Sequence, residues 1–116
     1  MLPLEDARQF ALSLPEAVEQ DHHGFPSFRV RSKIYLTQPD DSYVHVMADE
    51  DEIRAAVAED GEACEEVWWG KRLSAVRVYL DRIEPAHFEE LVLDAWRRKA
   101  PKTLVKQFDA AQGASG

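Results

Sequence analysis

The sequence is short of the residues that would tie it to several common chemistries. It carries a single cysteine, Cys64, among 116 residues, so neither an intrachain disulfide nor a thiolate metal cage can form. Its five glycines are scattered, and there is no Gly-rich phosphate loop, Gly-x-Ser-x-Gly elbow or His-Glu-x-x-His pair. No apolar run approaches the roughly 20 residues of a membrane span. The start, Met1-Leu2-Pro3-Leu4-Glu5-Asp6, has no basic segment followed by an apolar one, which predicts that no signal peptide is present. These absences predict a cytoplasmic protein with no membrane partner. Positive charge is also scarce: 14 Lys and Arg face 22 Asp and Glu, a net charge of −8. Such a balance opposes loose attraction to polyphosphate or to an anionic membrane.

What is present is an ordinary globular composition, 45% hydrophobic and 31% charged. A chain of this length buries roughly two-thirds of its unfolded surface and sustains its own core. One domain is expected over residues 1–109, with the small-residue stretch 110–116 as a flexible tail. The charge is unevenly distributed. Residues 40–66 hold eleven acids and one base, Arg54, whereas residues 29–35 hold Arg29, Arg31 and Lys33 and no acid. Residues 67–116 hold nine bases against six acids. A locally basic surface on an acidic protein is therefore feasible.

The clearest stretch is Trp68 to Pro101. Val76, Val78 and Leu80 alternate with Ala75, Arg77 and Tyr79, the period of a half-buried strand. Pro85 then suits a first helical turn, and Phe88, Leu91, Val92 and Ala95 form one apolar stripe. Arg97, Arg98 and Lys99 complement the negative end of the helix dipole before Pro101 stops it. Upstream, residues 4–14 read as a helix ended by Pro15, and residues 16–26 as a polar loop containing Asp21-His22-His23-Gly24. Residues 28–31 and 34–36 alternate across Ser32-Lys33 and read as a hairpin, although the turn lacks an Asn-Gly signal. Residues 43–47 form a further strand. Asp49, with Glu52 three residues on, caps a second helix. Residues 59–66 read as an acidic loop or poorly formed strand, residues 67–69 as a strand pairing with 74–80, and residues 102–108 as one helical turn. The order α-β-β-β-α-β-β-α predicts an α+β two-layer sandwich, an antiparallel sheet with helices packed on one face.

Candidate chemistry is sparse. His22 and His23 are adjacent and diverge, and with Asp21 and His45 they match no ligand spacing. A surface loop is the plainer reading. Cys64 has no basic neighbour to activate it and reads as a small buried hydrophobe. The carboxylates of 49–66 follow no calcium-loop spacing and read as a solvated face. Trp68 and Trp69 are adjacent on a strand and must point to opposite sides, so one of them is expected to be exposed. If Val30, Ile34, Leu36, Val44, Val46, Val76 and Val78 face the helices, the opposite face carries Arg29, Arg31, Tyr35, His45, Arg77 and Tyr79, with Lys33, Lys71 and Arg72 at strand ends and turns. Cations interleaved with rings suit nucleic acid, since rings stack on bases and cations hold phosphates. A solvated sheet face offers the same residue types.

The chain resembles the MmcQ/YjbR proteins. The resemblance rests on Ala11-Leu12-Ser13-Leu14-Pro15-Glu16, Gly24-Phe25-Pro26-Ser27-Phe28-Arg29-Val30 and Lys33-Ile34-Tyr35, then on Ser74-Ala75-Val76-Arg77-Val78-Tyr79-Leu80, the run Phe88 to Arg97, and Ala100-Pro101-Lys102. The pieces occur in order between about residues 4 and 108. The resemblance implies a CyaY/frataxin-like sandwich and a DNA-binding protein whose two "wings" are β-hairpins, here around Arg31-Ser32-Lys33 and Gly70-Lys71-Arg72. Where many relatives have Asn-Lys-x-x-Trp, this chain has Gly70-Lys71-Arg72-Leu73-Ser74. It implies no catalytic residues. The function expected is a non-enzymatic DNA-binding or regulatory domain with no cofactor, weak and little sequence-specific toward DNA. Its expected site is Arg29, Arg31, Lys33, Tyr35, Lys71, Arg72, Arg77 and Tyr79. The alternative is a protein-interaction or small-ligand module using the same face, with metal binding after that.

Overall fold

A computed structural model describes residues 2–114. Its elements are α1 (Leu4–Ser13), β1 (Ala17–His22), β2 (Phe25–Val30), β3 (Lys33–Thr37), β4 (Tyr43–Met47), α2 (Glu50–Glu59), β5 (Cys64–Trp69), β6 (Arg72–Tyr79), α3 (Pro85–Lys99) and α4 (Lys102–Ala114). The six strands form one antiparallel sheet in the order β1-β2-β3-β4-β6-β5. The α+β architecture is the one expected, with two elements more than the sequence pattern predicts. β1 occupies what reads as a polar loop, because its exposed residues Val18, Glu19, Gln20 and Asp21 belong to an edge strand with little to bury. His23 and Gly24, both with positive φ (55° and 94°), turn it tightly into β2. At the other terminus α4 runs well beyond the single turn expected and takes in Ala110 to Ala114, while residues 115 and 116 of the expected tail lie outside the described residues.

The helices lie on one face. α3 packs on β3 and β4, and α2 on β5 and β6. Phe28, Val30, Leu36, Val44, Val46, Val76 and Val78 meet Ile53, Phe88, Val92 and Trp96 in the main core. Trp96 is fully buried and donates its indole N–H to the Pro15 carbonyl at 3.1 Å, fixing the end of α1. The Asp49 carboxylate accepts the Glu52 N–H at 2.9 Å, the expected cap of α2.

Two positions in β3 depart from simple alternation. Between β2 and β3 the register slips, so that Phe28 faces Leu36 but Arg29 faces Ile34. Tyr35 is the extra residue of this bulge. It is fully buried, and its hydroxyl donates to the Ala11 carbonyl at 2.6 Å. Tyr35 is therefore a core residue and does not project from the outer face. Ile34 takes its place there, packing against Met47, Val67 and Ala75 in a small second cluster.

Candidate functional site: the outer sheet face and the hairpin end

The topology gathers the two expected wings at one end of the sheet. β3 starts where β2 turns back; antiparallel β4 finishes at that end, and β6 starts there. The tips Arg31-Ser32 and Gly70-Lys71 thus project from the same end, with the C-terminus of α3 beside them. The first tip has two left-handed residues, Arg31 (φ 49°) and Ser32 (φ 70°), the geometry of a type I′ turn without its usual glycine. In the second, Gly70 at φ 64° takes the first central position, where a type II′ turn requires it.

The expected site residues divide into four groups. Arg29, Arg77 and Tyr79 do lie on the outer face, as their pairing with Ile34, His45 and Tyr43 requires. Arg77, however, is already engaged. Its Nε donates to His45 Nε2 at 3.2 Å, its guanidinium stacks 4.3 Å above the Tyr43 ring, and Glu65 lies at 3.7 Å. The Tyr79 hydroxyl is shared between both Glu65 oxygens at 3.3 Å. Burial first, and Arg77 second, push the His45 pKa down to about 4, so the ring is neutral at physiological pH. Arg31 is turned back on Glu16 in a two-pronged ion pair, which also holds the Glu16 carboxyl below its ordinary range. Tyr35 is in the core. Of the expected cations, Arg29, Lys33, Lys71 and Arg72 make no ion pair among the described residues; Arg29 is half-buried, and Lys33, Lys71 and Arg72 are exposed.

Two neighbours complete this end and escape a reading by strand phase. Arg98 and Lys99, which look in sequence like simple helix-dipole complements, come beside Lys33 and Arg72. Burial and then the charges of Arg98, Lys33 and Arg72 lower the Lys99 pKa. One acid reaches the cluster by an ion pair: Glu52 lies 3.5 Å from Arg98. Trp68 and Trp69 are 47% and 56% exposed, so both indoles, not one, are open to solvent at the second hairpin.

Trp69 and Lys99 also stand between two depressions. The smaller, about 300 Å³, runs over Arg72, Arg98 and the start of α2. The larger, about 730 Å³, opens on the outer face of the sheet. Its polar groups include Arg29, Thr37 and His45 with Lys33 and Lys99, and Phe25, Ile34 and Met47 are among its apolar residues. Among the described residues, no three His, Cys, Asp or Glu side chains come together to hold a metal ion. Cys64 is buried, and burial followed by Asp60 and Glu59 pushes its thiol up to about 11, which leaves no thiolate for nucleophilic work.

An antiparallel sheet backed by helices, with paired hairpins at one end, defines the structural class. Residues 12–98 match the family model described as YjbR, and the chain belongs to the YjbR family. Among solved structures it is similar to the Deinococcus radiodurans protein DR2400, whose family-model domain is DUF419. The TM-score is 0.70 at 17% identity, over 83% of this chain and 77% of that one; at that identity the likeness is one of fold. No curated protein matches the chain.

Proposed function

We propose that the chain is a non-enzymatic domain that binds DNA weakly and with little sequence preference, through the hairpin end and not through the whole outer face. The observation that carries this reading is the cluster of Lys33, Lys71, Arg72, Arg98 and Lys99 around two exposed tryptophans. Four of these five cations have no carboxylate partner among the described residues, so phosphate oxygens would meet them without first displacing an acid. Indole faces beside them offer stacking to any unpaired base, a contact indifferent to base identity. Two hairpins on one end also match the winged arrangement that the family resemblance implies. Arg31, Arg77 and Tyr79 contribute little in this reading, because their polar groups are already committed.

The test is fluorescence anisotropy with labelled single-stranded and duplex DNA over a range of salt. Each neutralised phosphate contributes a slope of about −0.9 in log K against log salt on duplex DNA and about −0.7 on single strands. Five cations therefore predict a duplex slope no steeper than about −4.5. The double reversal Lys71→Glu, Arg72→Glu is expected to weaken binding at least roughly tenfold on all sequences alike, whereas Arg77→Gln leaves it nearly unchanged. Absence of binding at about 20 mM salt, where screening is slight, overturns the reading.

A further inference from the structure

We propose that the larger cleft on the outer sheet face is a binding site for a small amphipathic anion: a carboxylate or phosphate carried on a flat apolar body, with the charge held by Arg29. The argument starts from arginine pairing. Arg8, Arg29, Arg77 and Arg97 are the half-buried arginines among the described residues. Arg8 has Glu19 at 2.8 Å, Arg77 has Glu65 at 3.7 Å, and Arg97 has Asp109 at 2.6 Å. Arg29 has no carboxylate; its Nε donates to Ser27 Oγ at 3.0 Å, and it makes no ion pair among the described residues. Ser27 is itself fully buried and held by its bond to the Gln20 carbonyl at 2.8 Å. The guanidinium is thus oriented on one edge by a fixed hydroxyl, with its terminal N–H groups left for another acceptor. A cation withdrawn from water without a counter-ion is costly, and a bound anion removes that cost.

The surroundings agree in charge. The chain has 22 acids, yet the lining of this cleft contains none, while Lys33 and Lys99 stand with Arg29 along it. Lys99 is crowded by other cations, which an anion at the rim would relieve. The remaining wall is apolar and aromatic, from Phe25, Ile34 and Trp69, and suits a flat hydrocarbon body. Guanidinium geometry favours a planar or tetrahedral oxyanion approached by two N–H groups. The volume, about 730 Å³, is within the range of small-ligand sites. The cleft shares Lys33, Lys99 and Trp69 with the hairpin end, but Arg29 belongs to the cleft alone and Lys71, Arg72 and Arg98 lie outside it, so the two readings can be tested apart.

The test uses 1-naphthoate and 1-naphthyl phosphate as probes, with neutral 1-naphthamide as control, followed by amide chemical shifts in two-dimensional NMR. Both anions are expected to shift the amides of Phe25, Ile34, Thr37 and Trp69 at millimolar concentration. The amide is expected to bind at least roughly tenfold more weakly, the scale of one charge-assisted hydrogen-bond pair. Arg29→Gln is expected to bring the anions down to the level of the amide, while Lys71→Glu, which weakens DNA binding, leaves them unaffected. If Arg29→Gln fails to fold, the comparison of anion with amide on the unaltered protein decides. Equal binding of the neutral probe, or shifts confined to residues elsewhere, overturns the proposal. Preference of the site for naphthoate over naphthyl phosphate, or the reverse, identifies which oxyanion it is built for.

Discussion

Single side chains in this protein show how little distance separates a functional group from a structural one. His45 sits among Tyr43, Arg77 and the cleft, and is held neutral by burial and by the neighbouring guanidinium. The unfolded chain takes up this proton near pH 6.5, the folded one only near 4. Stability present above the first value is therefore lost as the pH falls toward the second. Melting temperature should decline over that window, and His45→Gln, which retains an acceptor for Arg77, should flatten part of the decline; an unchanged profile would show that carboxylates alone account for it. Tyr35 presents the opposite case, a polar atom wholly inside. Tyr35→Phe leaves the Ala11 carbonyl without its donor and should cost about 1–3 kcal/mol in urea titrations.

At the scale of elements, the hairpin between β2 and β3 is built on a turn that its residues do not favour. Arg31 and Ser32 both hold left-handed conformations that cost L side chains energy. Ser32→Gly should therefore stabilise the protein by up to about 1 kcal/mol, visible as a higher urea midpoint with unchanged slope; a lower midpoint would mean that chain entropy outweighs the relieved strain. The same hairpin marks the limit of what the sequence reveals. The strands over Tyr43–Met47 and Arg72–Tyr79, the capped α2 and the Pro85 start of α3 are all legible, because each follows one period between clear punctuation. The bulge at Tyr35 is not, since a slip of one residue reverses the phase and leaves no mark in composition. β1 escapes for a related reason: an edge strand with little buried surface has no apolar alternation to read. Of the site, Lys33, Lys71 and Arg72 are legible as turn cations. Arg98 and Lys99 join them only through the topology, which brings the end of α3 to the start of β3 and β6.

Across the whole molecule, the strand directions sort charge along one axis. The turn with Asp40 and Asp41, the end of α2 with Glu59 and Asp60, and the start of β5 lie opposite the hairpin tips. A net charge of −8 thus coexists with a cationic end, and a polyanion should approach in one orientation, more slowly as salt falls at the acidic end and faster at the basic one. No described helix is long and apolar enough to cross a membrane. The three tryptophans also sample three electrostatic settings. Trp96 is sealed in the core, Trp68 donates to Glu66 at 3.1 Å, and Trp69 stands beside Arg72 and Lys99. Intrinsic emission is accordingly divisible by the sign of a quencher: iodide should draw light chiefly from Trp69, caesium chiefly from Trp68, and neither from Trp96. A Trp69→Phe variant that still shows the full iodide response would refute that division; otherwise the loss of iodide quenching on adding an anion reports, without any label, that the cationic end is occupied.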